Sequence, residues 1–147
     1  MDLDQYIRKV PNFPKQGILY YDITSVLNRA EVFGWVVDQM AECYQNIEFD
    51  AIAGIESRGF IFATAFALRR KLPLILVRKA GKLPGVTLKK SFQLEYGRAE
   101  VEVHLADVRP GSRILLMDDL IATGGTLKAT YELLIEAGAI VEHAFGM

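Results

Sequence analysis

The chain has very little cysteine: Cys43 is the single one among 147 residues. One cysteine excludes an intramolecular disulfide framework and is typical of proteins from a reducing compartment. Cys43 lies in a stretch of helical spacing, where a buried thiol is more common than a reactive nucleophile. We therefore expect one domain that is stabilised by its hydrophobic core.

The chain also has no excess of charge of one sign. The 17 Lys and Arg residues nearly balance the 18 Asp and Glu residues, and the formal net charge is −1. This balance gives no general attraction to nucleic acid or to a membrane surface. No apolar run reaches transmembrane length, and the first residues lack the basic and apolar regions of a signal peptide. We therefore expect a cytoplasmic protein.

Histidine is scarce as well, so the sequence does not predict a zinc site. His104 and His143 are far apart in sequence, and neither has a cysteine or carboxylate at zinc-ligand spacing. We interpret both as structural or surface residues. No order of serine, histidine and aspartate suggests a nucleophilic triad.

Strand and helix patterns alternate along the chain, which favours a single α/β domain over residues 1–147 with a twisted parallel sheet flanked by helices. In residues 79–105, Val101 and Val103 alternate with Glu102 and His104, as in a half-exposed antiparallel strand, so a small β hood is expected there. The predicted helices are 2–10, 30–46, 57–70 and 126–137; the predicted strands are 50–55, 73–77, 114–117 and 139–145; residues 11–24 are predicted to form an irregular arm.

Apolar spacing supports two of these helices. In residues 57–70, Ile61, Ala65 and Leu68 lie on one side of the helix. In residues 30–46, the apolar positions at helical spacing are Val32, Phe33, Val36, Val37, Met40 and Tyr44.

The most informative stretch is Arg113-Ile-Leu-Leu-Met-Asp-Asp-Leu-Ile-Ala-Thr-Gly-Gly-Thr126. It reads as a buried strand, two adjacent acids, a glycine turn and a helix. Asp118 and Asp119 follow the strand at its carboxyl end, where open α/β sheets bind ligands. The Thr-Gly-Gly-Thr turn brings backbone N–H groups, hydroxyls and a helix N-terminus together, which suits a phosphate monoester. Acids beside it suit hydroxyls or a hydrated metal, so the stretch predicts a sugar-phosphate site.

The alternative is a plain turn with acids that cap the helix. The complete series of strand, acids, turn and helix favours the ligand site. The stretch is neither a Walker A loop nor a Gly-x-Gly-x-x-Gly dinucleotide fingerprint.

A second anion site is predicted at Glu56-Ser57-Arg58-Gly59, between a buried strand and a helix. Arg58 can bind two phosphate oxygens at once. Ser57 as a helix N-cap is the structural alternative, and both readings can hold together. Arg78, Lys79 and Lys82 follow the next strand; alone they read as a solvated basic loop, and beside two anion sites they suggest polyanion binding.

These motifs resemble the adenine phosphoribosyltransferase family, within the type I phosphoribosyltransferases. Residues 108–126 are similar to its phosphoribosyl-pyrophosphate signature. The other matching segments come in the family's order and span nearly the whole chain: Asn12-Phe-Pro-Lys-Gln-Gly-Ile-Leu-Tyr-Tyr-Asp-Ile-Thr24, Ile55-Glu-Ser-Arg-Gly-Phe60, Arg78-Lys-Ala-Gly-Lys-Leu-Pro-Gly85 and Leu94-Glu-Tyr-Gly-Arg98.

The resemblance implies that adenine and phosphoribosyl pyrophosphate give AMP and pyrophosphate with Mg²⁺, in purine salvage by a homodimer whose 78–84 region lies near the interface. The magnesium is expected to be held mainly through substrate and water, with no protein metal site. The loop at residues 56–59 often holds a non-proline cis peptide in the family. The implied catalytic residues are Glu95, Asp118, Asp119 and Arg58; the implied 5′-phosphate site is Ala122, Thr123, Gly124, Gly125 and Thr126; the implied pyrophosphate site is Glu56, Ser57, Arg58, Arg78, Lys79, Lys82 and Tyr96.

The resemblance also implies that Leu19, Tyr20 and Tyr21 flank the purine, and that Glu95 and Tyr96 close over the site. Tyr20 is suited to stacking on a base. Tyr21 replaces an arginine found in some members, and a core role for one tyrosine remains an alternative to base contact.

Three other functions stay open at this stage. The first is phosphoribosyl transfer to another purine base. The second is a regulatory protein that binds phosphoribosyl pyrophosphate, against which the neutral charge and the lack of a helix-turn-helix segment argue. The third is a shortened chain that binds ligand without turnover, because the sequence stops directly after an apolar strand, whereas the family usually continues with a last strand and helix.

Overall fold

The computed structural model describes residues 1–93, 97–121 and 123–146, and its contacts divide the chain into two units, Met1–Cys43 and Tyr44–Met147. Each unit is described by itself, and the prediction of a single domain over residues 1–147 stays a prediction. No helix within the described ranges is long and apolar enough to cross a membrane.

The first unit contains a hairpin that the sequence did not predict. Instead of a helix over residues 2–10, a short 3₁₀ turn at Leu3–Gln5 precedes strand β1, Arg8–Pro11. Instead of an irregular arm, residues 11–24 contain strand β2, Leu19–Asp22, which pairs antiparallel with β1. Both predictions were wrong because this pairing joins residues up to 14 positions apart, such as Arg8 and Asp22, which local patterns do not reveal.

Two helices complete the first unit: α1 at Thr24–Leu27 and α2 at Ala30–Cys43. The predicted 30–46 helix is confirmed and ends three residues early. Its buried residues are among the predicted apolar positions, but Cys43 is exposed, so the prediction of a buried thiol was wrong. The buried residues Val32, Val36 and Met40 follow one another at intervals of four positions along the helix. Cys43 comes three positions after Met40 and does not continue this series.

The second unit is built on a six-stranded sheet with two helices in the connections. In chain order its elements are β3 Ala51–Ile55, α3 Gly59–Arg70, β4 Leu74–Lys79, β5 Thr87–Gln93, β6 Arg98–His104, β7 Arg113–Met117, α4 Gly125–Glu136 and β8 Ile140–Phe145. Four strands, β4, β3, β7 and β8, are parallel neighbours; β6 runs antiparallel to β4, and β5 continues the hood beyond β6. The predicted parallel sheet with an antiparallel hood is therefore confirmed.

The central strands β3 and β7 are buried because helices cover the sheet. All five residues of β3 and the last four of β7 are buried. Gly54 in β3 lets α3 come close, because a methyl group at this position would lie 2.8 Å from the Cβ of Ala63. The two strands carry the candidate site at their carboxyl ends.

Helix α3 buries a different side from the one that carries Ile61, Ala65 and Leu68. Leu68 is 76% exposed, whereas Phe62 and Phe66 are fully buried. The side that faces the core carries the two phenylalanines and small residues at spacings of three and four positions. The large aromatic rings bury more apolar surface than the aliphatic side chains of the other side would.

Strand β6 departs from the predicted alternation. Val101 and Val103 are buried as expected, but Glu102 between them is only 1% exposed. The segment before β5 covers the predicted solvent side, because its Lys82 and Leu83 N–H groups donate to the Glu102 carboxylate.

Candidate active site

A cavity of about 510 Å³ lies at the carboxyl ends of β3, β4 and β7. In open α/β sheets this is where ligands bind. The loop after β3, the loop after β7, the start of α4 and the hood strands all contribute to it. Its predicted site residues are Glu56, Ser57, Arg58, Lys79, Asp118, Asp119 and Thr126, and Phe92 and Glu100 of the hood also line it.

The two acids after β7 form the charged centre of this cavity. The Asp119 N–H donates to Asp118 Oδ1 over 2.8 Å, which fixes the turn. Asp119 is 4% exposed, and its Oδ2 lies 2.9 Å from Arg58 Nε. This contact is an ion pair outside hydrogen-bond geometry, so within the described part of the chain the buried Oδ2 has no hydrogen-bond partner. A buried acceptor of this kind is available to a donor brought by a ligand.

Burial is the main cause that raises the pKa of Asp118 to about 7, and the side chain of Asp119 adds to the rise. The Asp119 N–H and the Arg58 charge act in the opposite direction. Two carboxylates side by side cannot both be ionised cheaply without a cation between them. The site therefore favours a ligand that brings hydroxyl donors or positive charge to this pair.

Replacing Asp118 with asparagine should stabilise the ligand-free protein above pH 7. Between its ordinary pKa of 3.8 and the folded value of about 7, the folded chain binds a proton that the unfolded chain has lost. The free energy of unfolding therefore falls as the pH rises through this window. We expect the variant to gain about 1 kcal/mol or more at pH 8, and no such gain at pH 3, where both states hold the proton.

Thermal unfolding at the two pH values measures this difference. An Asp118→Asn protein that is no more stable than the parent chain at pH 8 would contradict a raised pKa at this carboxylate.

The loop after β3 brings Glu56, Ser57 and Arg58 to the cavity. The Glu56–Ser57 peptide bond is cis. Arg58 occupies the N-cap position of α3 and Ser57 does not, so the reading of Ser57 as the N-cap was wrong. Gly59 allows this loop to touch the acid pair, because a methyl group there would lie 3.0 Å from Asp118 Cα and Oδ1.

The N-terminus of α4 forms a smaller cavity of about 80 Å³ beside the acids. Gly124 is the N-cap residue of α4, at φ +80°, so neither acid occupies the N-cap position. The reading of the acids as the helix cap was therefore wrong, and the ligand site at this turn stays a prediction. Free N–H groups and the helix dipole favour an anion here. The cavity is lined by Asp118, Leu120, Ile121, Thr123, Gly124, Gly125, Thr126 and Leu127.

The basic residues at the end of β4 and in the loop after it make different contacts. Arg78 donates two hydrogen bonds to the carboxylate of Glu56, at 3.2 and 3.1 Å, and the Lys79 N–H donates a third at 2.9 Å. Burial alone would raise the pKa of Glu56, but these donors outweigh it and lower the pKa. Lys79 lines the large cavity, whereas the cavity lining does not include Arg78 or Lys82.

Comparison with known proteins identifies the family. The family model described as phosphoribosyl transferase domain matches residues 24–144. The adenine phosphoribosyltransferase of Treponema pallidum is 59% identical over 145 residues, which cover 99% of this chain and 76% of that protein. The chain belongs to the adenine phosphoribosyltransferase family. It is therefore a transferase.

Solved structures of adenine phosphoribosyltransferases have the same fold. The enzyme from Thermoanaerobacter pseudethanolicus superposes with a TM-score of 0.94 at 40% identity, over 98% of this chain and 84% of that one. The Saccharomyces cerevisiae enzyme, complexed with adenine and an imino-altritol bisphosphate, gives a TM-score of 0.92 at 34% identity, with the same two coverages.

Some positions that the family resemblance implies belong to the first unit, and others are not among the described residues. Leu19, Tyr20 and Tyr21 belong to β2 in the first unit. Leu19 and Tyr21 are exposed, whereas Tyr20 packs edge-to-face on Phe13 with ring centroids 5.0 Å apart. Their contact with the base stays a prediction. The predicted residues Glu95, Tyr96 and Ala122 lie outside the described residues.

Family resemblance and pattern did not single out Glu102, Glu100 or Phe92. Phe92 would lie 3.7 Å from a methyl group at Gly125, so the end of β5 is beside the start of α4. A signal for Glu102 was present in the sequence, because this acid lies between two valines in a strand that follows a lysine-rich segment.

A separate cavity of about 300 Å³ lies between α4 and β8. Leu116, Leu127 and Val141 make much of its lining apolar, and the acid pair and Arg58 do not reach it. Because it does not share those groups, we do not assign the transferase chemistry to it.

Proposed function

We propose that this chain salvages adenine: it transfers the phosphoribosyl group of phosphoribosyl pyrophosphate to the base, giving AMP and pyrophosphate. The observation that carries this proposal is the acid pair, Asp118 and Asp119, which lies between the loop after β3 and the N-terminus of α4 at the carboxyl ends of the strands. The adenine specificity is supported by the identity to relatives named for that base.

The 5′-phosphate binds at the N-terminus of α4. Residues 122–126 supply backbone N–H groups and threonine hydroxyls, and a phosphate at a helix N-terminus is favoured by the dipole. The small cavity beside Thr123 and Gly124 supports this placement. Binding energy from this remote group holds the reacting C1 atom in position.

Asp118 and Asp119 bind the ribose hydroxyls. As the bond from C1 to the pyrophosphate oxygen breaks, the electron pair leaves with pyrophosphate and the sugar develops positive charge. Ionised carboxylates beside the ring favour that charge. The base nitrogen then forms the new bond to C1 and loses its proton, which Glu95 is proposed to accept.

The leaving pyrophosphate binds at the loop of Ser57 and Arg58, with Lys79 and Lys82 adding positive charge and Tyr96 closing over it. Arg58 lines the cavity and suits bidentate binding of phosphate oxygens. Glu56 and Arg78 act on the same group through the ion pair that orients this region. Water exclusion by the closed hood protects the activated sugar from hydrolysis.

The donor set fits magnesium that arrives with the substrate. Within the described ranges, no three His, Cys, Asp or Glu side chains converge to hold a metal ion. Two adjacent carboxylates remain, and Mg²⁺ is commonly bound through one or two carboxylates, substrate phosphates and water. Asp118 and Asp119 would hold it, through water. When bound, the ion lowers the charge on the departing pyrophosphate.

Leu19, Tyr20 and Tyr21 form the base site, with Tyr20 offering a ring for stacking.

We also propose that the chain forms a homodimer with the 78–84 region near its interface. A cytoplasmic location is proposed as well, and the single cysteine is consistent with it. Sedimentation at micromolar concentration tests the dimer.

The test is product formation from radiolabelled adenine with phosphoribosyl pyrophosphate and magnesium, against hypoxanthine and guanine. We expect AMP from adenine and no nucleotide from the other two bases. Product from hypoxanthine or guanine alone would assign another base. No product from any base would leave a ligand-binding chain without turnover, which thermal stabilisation by phosphoribosyl pyrophosphate would identify.

A further inference from the structure

We propose that Glu102 is a positioning residue that holds the basic loop, residues 79–86, in the shape that binds pyrophosphate. The inference rests on the proposed function, because it assigns this loop to the leaving group. Glu102 itself touches no substrate in this proposal and acts through the loop backbone.

The carboxylate of Glu102 accepts hydrogen bonds from the backbone of the loop. Its Oε1 accepts hydrogen bonds from the N–H groups of Lys82 and Leu83, both at 2.8 Å. Its Oε2 accepts one from the Thr87 hydroxyl at 3.2 Å, where the loop enters β5. The side chain is 1% exposed. A buried carboxylate that accepts several N–H bonds fixes the groups that donate them.

A second side chain, Arg78, holds the same loop. Arg78 donates from Nη1 to the Lys82 carbonyl oxygen at 3.1 Å while its other nitrogens bind Glu56. Glu56 in turn accepts the Lys79 N–H. The backbone is therefore held at Lys79, Lys82 and Leu83 by two carboxylates and one guanidinium.

Basic side chains on the two neighbouring strands balance the negative charge of Glu102. On the sheet it is the cross-strand neighbour of both Arg78 on β4 and Lys89 on β5, and Lys89 Nζ is 3.7 Å from Oε2. Burial would raise the pKa of Glu102, but the N–H donors of Leu83 and Lys82 and the Thr87 hydroxyl lower it below its ordinary value. The group is therefore an anion at neutral pH, which a glutamine cannot reproduce.

A loop that is held in this way has a functional consequence because Lys79 lines the active-site cavity. A preformed cation arrangement binds a polyanion more tightly than one that must be ordered on binding. Loss of the Glu102 charge should therefore weaken binding of the pyrophosphate group while the acid pair stays intact.

The experiment compares Glu102→Gln with the parent chain by three readouts. We expect the KM for phosphoribosyl pyrophosphate to rise about tenfold, with kcat within about twofold and the KM for adenine unchanged. The affinity for magnesium pyrophosphate, measured by calorimetry, should fall about tenfold as well. Amide exchange of Lys82 and Leu83 should quicken about tenfold.

The matched control is Glu136→Gln, which removes the carboxylate 3.0 Å from Lys90 on the neighbouring hood strand and leaves the loop untouched. It should alter none of the three readouts. If Glu102→Gln does not fold, Thr87→Val removes one of the three donors, and a rise of about threefold in the same KM is expected.

Slow exchange at Lys82 and Leu83 in a folded Glu102→Gln protein would overturn the proposal, as would quickened exchange with unchanged pyrophosphate affinity. For Thr87→Val, a folded protein with unchanged KM and unchanged exchange would do the same. Failure of the parent chain to form AMP would reject the proposed function alone, since pyrophosphate binding and amide exchange would still decide the role of Glu102.

Discussion

Replacing both Asp118 and Asp119 with asparagine should lower kcat about a thousandfold and leave the fold intact. The two carboxylates are the anionic groups between the two loops, and asparagine keeps their shape while removing the charge that favours a cationic sugar. The relief of like-charge repulsion offsets the lost Arg58 pair in stability. Steady-state turnover with adenine, together with circular dichroism and thermal unfolding, measures both parts.

The matched control for this variant is Asp107→Asn. Asp107 lies in the short 3₁₀ turn at Leu105–Asp107, away from the cavity lining, and the same chemical change there should leave turnover as it is. Unaltered turnover in a folded Asp118→Asn, Asp119→Asn protein would reject the role of the acid pair.

Replacing Arg58 with glutamine should lower kcat/KM about a hundredfold at pH 7.5 and move its pH dependence. Arg58 is the cation 2.9 Å from Asp119 Oδ2, and its positive charge lowers the pKa of Asp118. Without that charge the pKa of Asp118 rises above about 7, so the ionised form is reached only at higher pH. The rising limb of the profile should therefore shift to the alkaline side.

The profile of kcat/KM between pH 5.5 and 9.5 reports the free enzyme and measures this shift. Arg58→Lys is the control, because it keeps the charge and loses the planar fork that binds two oxygens. It should lower the rate without the full alkaline shift. An unchanged midpoint in folded Arg58→Gln would contradict the coupling between Arg58 and Asp118.

The elements that sequence predicts well here are those whose signal is local. The apolar run Ile114 to Met117 and the acids after it give the buried strand β7 and the edge of the site directly. The helices at Ala30–Cys43 and Gly125–Glu136 follow from apolar spacing and from the glycine turn before the second of them.

The features that could not be predicted from the sequence depend on contacts between residues that are far apart along the chain. Glu56 and Arg78 are 22 positions apart, and Glu102 reaches Lys82 across 20 positions. No local pattern shows that a loop will cover Glu102, so alternation placed it on the solvent side. The hairpin of β1 and β2 was missed for the same reason.

In the proposed site, two acids lie between two loops that bind anions, so the charge balance of the whole chain says little about the site. A net charge of −1 conceals a region where Arg58, Lys79 and the α4 N-terminus favour anions beside two carboxylates. Local arrangement, and not net charge, sets what this cavity binds.

We propose that the sugar phosphate and the pyrophosphate bind in two separate loops on either side of the acid pair. A crystal structure of the chain with phosphoribosyl pyrophosphate and magnesium would show where each group binds. We expect the 5′-phosphate at Thr123 to Thr126, the pyrophosphate at Ser57 and Arg58, and the ribose hydroxyls on Asp118 and Asp119. Density for the ligand in the opposite orientation, or in the apolar cavity between α4 and β8, would contradict it.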